Sequence, residues 1–391
     1  MSTEKRLSLY LHIPFCSTRC GYCHFNTYEG LERLFEPFTA ALRAEVANTA
    51  QRLAGGWTLG TIFLGGGTPT HLPLTHLASI MRSLREQFRG TDDIEITSES
   101  NPSHISEGYL AGLREAGVNR ISFGAQAFDE GLLKMLDREH SAAQIGEAVR
   151  QARRAGFANL NLDLMYGLPA QTLAQWSNSL DAAIALAPEH LSLYALTIDE
   201  GTAFIKRVQK GLLPEPDPDL AADMYLLAVE RLAGAGFHQY EISNWARPAP
   251  STGSGLALLA SRHNLTYWLN EPYIGLGPGA HSYFAGRRFW NLLAPQVYIE
   301  KMRRGESVVA DGETIGPSLE QAETVILGLR LNEGLARDRF YRRFGVPLDE
   351  VFGATLRQCA GWGLVADDGE RVCLTTRGRL LSNEVFQRLL P

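Results

Sequence analysis

Six stretches of the chain are rich in β-branched, aliphatic and aromatic residues and are bounded by turn formers: SLYLHIP (8–14), TIFLGGG (61–67), DIEITSES (93–100), RISFGAQ (120–126), LNLDLMYG (160–167) and HLSLYALTI (190–198). Each reads as a strand. Apolar residues recur at helical spacing after each of them, as in LFEPFTAALRAEVANTAQRL and LAADMYLLAVERLAGAG. Six β-then-α units predict a parallel sheet covered by helices, either curled toward a barrel or doubly wound. Periodicity leaves these two open.

The order breaks near Pro248, where ARPAPSTGSGLALLASRHN mixes Pro, Gly and Ser with a short apolar patch and reads as a mobile loop. Beyond about Asp311 the pattern turns helix-rich. SLEQAETVILGLRLN, ARDRFYRRFG and PLDEVFGATLRQCAGWG precede an expected hairpin, LVADDGERVCLTTRG, and a last helix. Three helices and a hairpin suggest a small winged-helix-like domain. The expected organisation is an α/β unit over 1–245, a loop and extension over 246–310, and an α-rich unit over 311–391.

Composition narrows the use of this fold. The 391 residues are 45% apolar and 20% charged, an ordinary soluble chain long enough for two or three domains. A net charge of −6 offers no basic footprint for nucleic acid. From Ser318 onward ten Arg and no Lys face ten Asp or Glu, so DNA is not the expected partner of the C-terminal unit either. No apolar run approaches the roughly 18 residues of a bilayer span and the N-terminus lacks a signal-peptide pattern, so a cytoplasmic location is expected. No strongly basic amphipathic helix is visible, which limits any expected membrane contact to a weak, peripheral one.

Three of the five cysteines, Cys16, Cys20 and Cys23, form C-x3-C-x2-C directly after the first strand. In a reducing compartment, clustered thiols read as metal or redox ligands before disulfides. Structural zinc wants four protein ligands. Only His24 is near enough in sequence to be the fourth, and its adjacency to Cys23 makes a shared tetrahedron awkward. A cubane iron-sulfur cluster held at three corners, leaving one iron open, matches three thiolates better.

The triad, with aromatic Tyr22 before its last cysteine, resembles the signature of radical S-adenosylmethionine (SAM) enzymes, whose open iron chelates the amino and carboxylate groups of SAM. The resemblance implies a partial (β/α)6 barrel. Strand-end groups are expected where parallel α/β folds place ligands, and they occur in order: GGGTP with Gly66, Gly67 and Thr68; Glu99 in ESNP; Gln126 in GAQAF; Arg138 in LDREH, on the next helix; and Asp163 in NLDLMYGLP. Singly, each has a plainer reading as a turn, a solvated helix residue or a cap. Jointly they resemble the SAM-binding set of the oxygen-independent coproporphyrinogen oxidase branch, in which Tyr10 of YLHIPFC matches a cofactor-contacting tyrosine. The likeness extends to the C-terminal LTTRGRLLSNEVF.

Three features separate the chain from those oxidases. They usually carry a further cysteine where Phe25 stands here, and they have an N-terminal extension before the first strand. The third feature is HNLTYW, His263 to Trp268, which resembles the H-N-x-x-Y-W heme-binding motif of the heme chaperones descended from that branch. An imidazole can take an axial place on iron, and aromatic rings can flank a macrocycle. Without the resemblance, His263 reads as a packed loop histidine. With it, His263 is the expected heme ligand and His281 of GPGAHSYF the second candidate. Two departures stand out: His24 replaces an Asp common in those chaperones, and the loop before His263 is longer.

The resemblance implies a [4Fe-4S] cluster, SAM and heme as cofactors, with the cluster and SAM acting as a switch. It also implies apo-hemoproteins as acceptors and a homodimer. The alternative it leaves open is an oxidase that generates a 5′-deoxyadenosyl radical from SAM.

Overall fold

In the computed structural model, residues 5–53, 56–103, 105–249 and 257–391 are described. The six expected strands form as β1 (Lys5–Ile13), β2 (Trp57–Gly66), β3 (Arg89–Ser100), β4 (Arg120–Gln126), β5 (Asn159–Tyr166) and β6 (His190–Ala195). They pair in parallel, each with the next in the chain. That sequential order decides between the two layouts, because a doubly wound sheet reverses its strand order partway. The strands curl as an incomplete barrel, and among the described residues no pairing closes it.

Residue alternation explains which face is which. Leu7, Leu9, Leu11 and Ile13 of β1 are fully buried with Phe38, Leu42 and Val46 of the helix Phe35–Leu53. Leu160, Leu162 and Leu164 of β5 join the same apolar cluster. The intervening positions, Tyr10, Asn161 and Asp163, line an interior cavity with Ser122, Ser192 and Tyr194. A period of two thus places grease against the helices and polar groups inside the barrel.

Sequence periodicity does not reveal six further strands that widen the sheet to 12: β7 (His238–Glu241), β8 (Asn244–Ala246), β9 (Tyr273–Leu276), β10 (His281–Phe284), β11 (Arg287–Asn291) and β12 (Val309–Thr314). β8 pairs antiparallel with β6, and β7 antiparallel with β8 at the edge. β9 joins β1 in parallel and is followed outward by antiparallel β10, β11 and β12. With three to six residues each, they are too short to display an alternation.

The C-terminal residues build their own core from Val325, Leu329, Phe340, Leu356 and Val372. The three expected helices form as Pro317–Leu329, Arg337–Phe344 and Leu348–Gly361. The hairpin, β14 (Val365–Asp367) with β15 (Arg371–Leu374), gains a third strand, β13 (Leu335–Ala336). The last helix is divided into Thr376–Leu380 and Ser382–Phe386. Of the loop after Trp245, residues 250–256 lie outside the described residues, while its ends pair through an isolated bridge between Pro248 and Leu258. Among the described residues no helix is long and apolar enough to cross a membrane.

Candidate cofactor site

The cysteine loop leaves β1 and returns on itself. The Cys16 N–H donates to the Tyr28 carbonyl at 3.0 Å and the Tyr28 N–H to that of Pro14 at 2.7 Å. Between those ends the polar residues serve as tethers. Ser17 and Thr18 hydroxyls donate to the Glu139 carboxylate at 2.6 and 2.5 Å. The Asn26 amide donates to the carbonyls of Pro278 and Leu293 at 3.1 and 3.0 Å. Tyr22 packs edge-on against Phe204, whose N–H donates to the Gly21 carbonyl at 3.0 Å.

All three thiols are free and half-buried. Each has a polar neighbour: Thr68 Oγ1 is 3.6 Å from Cys16, Arg138 Nη1 is 3.3 Å from Cys20, and Thr27 Oγ1 is 3.7 Å from Cys23. The Thr68 hydroxyl favours the thiolate form of Cys16. Burial works against it, pushing that thiol up to about 11. Among the described residues no three His, Cys, Asp or Glu side chains gather about one point as a single ion requires, whereas a cubane takes each of three thiolates at a different corner. His24 Nδ1 pairs with Asp199 at 3.0 Å, and neighbouring Phe25 is 57% exposed.

Strand ends bring the other expected residues to this loop. Gly66, with φ of +107°, leaves no room for a side chain: a Cβ there would fall 2.4 Å from the His12 ring. At Gly67 it would meet the Phe15 carbonyl at 2.6 Å, so the two glycines let the β2 turn pass directly under the cysteine loop. Glu99 accepts the Gly66 N–H at 3.1 Å. Gln126 ends β4 with a left-handed φ of 65°, a strained conformation for a residue with a side chain. The sequence reading puts Arg138 on a helix, but it lies just past the turn that follows the helix Glu130–Met135. From there Nη2 donates to the Gly124 carbonyl at 2.7 Å, and Nε is buried without a partner.

Asp163 accepts from Ser122 at 2.9 Å and Asn161 at 2.7 Å. Burial raises its pKa. Glu99 is raised from 4.5 to about 8 by burial, then by repulsion from Asp163. Two buried carboxyls that make no ion pair with a described residue, an orphaned guanidinium donor and a glycine cradle suit a ligand carrying ammonium, carboxylate and ribose groups. Tyr10 closes the arrangement: its OH meets His12 Nδ1 at 2.9 Å, and His12 Nε2 meets the Asn26 carbonyl at 2.9 Å.

HNLTYW forms a short helix, Arg262–Trp268, rather than the loop its setting suggests. Glu95, midway along β3, accepts the N–H groups of Arg262 and His263 at 3.1 and 3.0 Å and so fixes the helix start. His263 is 1% exposed, with Nδ1 2.7 Å from Thr61 Oγ1 and Nε2 2.9 Å from the Tyr267 hydroxyl. Its ring stacks on Phe63 at 5.1 Å, and burial lowers its pKa to about 3. It lines a cavity of about 210 Å3 together with Tyr10, Glu99 and Asp163. His281, by contrast, is exposed at the start of β10 and stacks on Trp290 at 5.4 Å.

Sequence reading missed Ser122, Asn161, His190 and Ser192, which hold these groups, and Arg120, which lines the same cavity. Their signal was available, since all five occupy polar, inward positions of strands whose alternate positions are apolar. Asn161 is the hub. Its amide donates to Ser122 and Asp163, and its carbonyl faces His190 and Ser192 at 2.6 and 3.1 Å.

Comparison with known proteins agrees with this fold. Residues 10–183 match the model of the radical SAM superfamily, and residues 321–381 that of the HemN C-terminal domain. The solved coproporphyrinogen III oxidase (HemN) from Escherichia coli superposes with a TM-score of 0.85 at 26% identity, covering 99% of this chain and 90% of that one. The mouse mitochondrial radical S-adenosyl methionine domain-containing protein 1 is 39% identical over 100% of this chain and 88% of its own. The heme chaperone HemW of Bacillus subtilis is 38% identical over 98% of this chain and 99% of its own, and that of Mycobacterium tuberculosis is 38% identical over 98% and 94%. With so much of both chains aligned, this protein belongs to the HemW family of the radical SAM superfamily.

Proposed function

We propose that this chain is a heme chaperone that passes heme to apo-hemoproteins. In this reading Cys16, Cys20 and Cys23 hold a [4Fe-4S] cluster, and Tyr10, Gly66, Gly67, Thr68, Glu99, Gln126, Arg138 and Asp163 hold SAM. The observation that carries it is the shared cavity: His263 of the HNLTYW helix lines the same space as Tyr10, Glu99 and Asp163. Heme held at His263 would thus lie against the residues proposed for SAM. The cluster, when bound, supplies an open iron for the amino and carboxylate groups of SAM. The protein's own part is to keep Cys20 beside Arg138, offer Glu99 to an ammonium and offer Asp163 to ribose hydroxyls.

His263 is the proposed iron ligand, and ligation exchanges one of its two ring hydrogen bonds for the metal. Anaerobic heme titration read by the Soret band tests this. Wild type is expected to bind and His263→Ala to bind much more weakly; loss confined to His281→Ala would move the ligand to the exposed histidine, and a wild type that binds no heme would sink the reading.

The fold shared with the Escherichia coli oxidase favours a second reading, a radical enzyme acting on a porphyrinogen. Formation of 5′-deoxyadenosine in step with oxidised porphyrinogen would establish it.

A further inference from the structure

The first residue of β4, Arg120, has no assigned part in the site. It faces inward, two positions before Ser122, and is 2% exposed. Its guanidinium offers five N–H donors and no acceptor. Yet no hydrogen bond or ion pair joins it to another described residue, and its Nε is buried without a partner. The surrounding carboxylates are engaged elsewhere. Asp163 accepts from Ser122 and Asn161, Glu99 from Gly66, and Glu95 from Arg262 and His263. Glu241 accepts from Asn244 and Ser243 and pairs with Arg330 at 3.6 Å. Elsewhere on the barrel, half-buried Arg153 is matched by Glu189 at 2.8 Å. Asp163 feels the charge of Arg120, which acts to lower that carboxyl's pKa, but makes no ion pair with it; a buried guanidinium whose Nε donor is unpaired is costly, and an acceptor brought by a ligand is what the site lacks.

Arg120 opens on the cavity of about 210 Å3 that His263 also lines. Strand register puts it level with Thr97, Phe63 and Tyr10. His263 stacks on Phe63 and lies 6.5 Å, ring to ring, from Tyr10. The geometry points to Arg120 as the anchor for a carboxylate that a ligand carries into the barrel. The space admits a carboxylate on a short arm, and planar guanidinium is the group that binds it in two-pronged fashion. Two carboxylates meet the description: a propionate of heme, which rests on the function proposed above, and the methionyl carboxylate of SAM, which does not.

Anaerobic titrations of the full chain separate them. Hemin is compared with hemin dimethyl ester, and SAM with 5′-methylthioadenosine, which lacks the amino acid. If the propionate is the ligand, wild type prefers hemin to its ester by roughly ten- to a hundredfold. Arg120→Gln then binds hemin no better than the ester, while Arg120→Lys keeps part of the preference. If the methionyl carboxylate is the ligand, Arg120→Gln weakens SAM by a similar factor and leaves 5′-methylthioadenosine unchanged. The proposal is overturned when wild type shows no preference for hemin over its ester and Arg120→Gln, with an unchanged melting temperature, binds SAM as wild type does. A wild type blind to both hemins removes the heme reading alone, because the SAM titration still judges Arg120. Should Arg120→Gln fail to fold, the ester comparison on wild type and the Arg120→Lys titrations decide.

Discussion

Arg138 spans the gap between cysteine loop and barrel, with Nη1 3.3 Å from the sulfur of Cys20 and Nη2 2.7 Å from the carbonyl of Gly124. One rigid fork thus fixes a cluster ligand relative to the end of β4, while its Nε is left without a partner. Replacing it by Met is expected to lower the iron and sulfide retained after anaerobic reconstitution. SAM affinity should fall by roughly ten- to a hundredfold. Arg138→Lys restores less than half of either, because a single ammonium cannot reach both points. Full iron content and unchanged SAM affinity in Arg138→Met would count against this role.

Glu99 makes the cofactor site sensitive to pH. Its carboxyl, raised from 4.5 to about 8, is mostly protonated at neutral pH when no ligand is bound. Between those values the folded state holds a proton that the unfolded chain releases, so stability falls as pH rises from about 4.5 to about 8. Each tenfold difference in proton affinity between the two states is worth about 1.4 kcal/mol, so the loss across this range amounts to a few kcal/mol. Glu99→Gln is expected to flatten that dependence in urea unfolding. The same proton must leave before the carboxylate can receive the ammonium of SAM, so SAM affinity rises from pH 6.5 toward 8.5 in wild type. Calorimetry in buffers of different ionisation heat should show proton release on binding. No release at neutral pH would mean that Glu99 is already ionised.

The barrel was legible because its six inner strands are long enough to show alternation and each precedes an amphipathic helix. Leu160, Leu162 and Leu164 against Asn161 and Asp163 is the pattern in miniature. The outer strands were not legible, since a segment such as Asn244–Ala246 has no room for a period. Most of the site residues came from motif spacing and resemblance, and the structure places Glu99, Gln126 and Asp163 on the strands expected. Arg120 and Asn161 escaped notice because a polar residue inside a strand usually points to solvent. Only the curvature of the sheet turns those positions inward. The setting of His263 was hidden for a related reason: the contact with Glu95 joins residues 168 apart in sequence.

Tyr267 holds the imidazole that the proposed function assigns to iron. Its hydroxyl lies 2.9 Å from His263 Nε2, while Thr61 holds Nδ1 at 2.7 Å. Tyr267→Phe removes the first bond and keeps the ring that packs edge-on against His263 at 5.1 Å. A net hydrogen bond is worth about 0.5–1.5 kcal/mol. Heme affinity is therefore expected to rise two- to tenfold in this variant. Thr61→Val acts on the far nitrogen and should instead blur the ring's orientation, broadening the Soret band. Equal heme affinity in wild type and Tyr267→Phe would show that Nε2 is not the atom that meets iron.

Glu45 tests whether the cysteine loop depends on packing from outside the barrel. It is 3% exposed on the helix Phe35–Leu53 and accepts from the Gly277 N–H, the Asn291 amide and the Tyr298 hydroxyl, each at 2.7 Å. The turn it holds, Gly277 to Gly279, receives Asn26 of the cysteine loop at the Pro278 carbonyl. Glu45→Gln turns an acceptor into a donor that must face one of three donors, at a cost of about 1–3 kcal/mol. Glu45→Ala leaves all three unsatisfied and should cost more. Glu147→Gln, at an exposed carboxylate paired with Arg150 and Arg154, is the surface control, expected to change stability far less than either. Because the strain falls on the turn beneath Asn26, the Glu45 variants should also lose iron faster to a chelator, in the same order as their loss of stability. Destabilised variants that keep wild-type iron-loss rates would show that the loop is held by Arg138 and Glu139 alone.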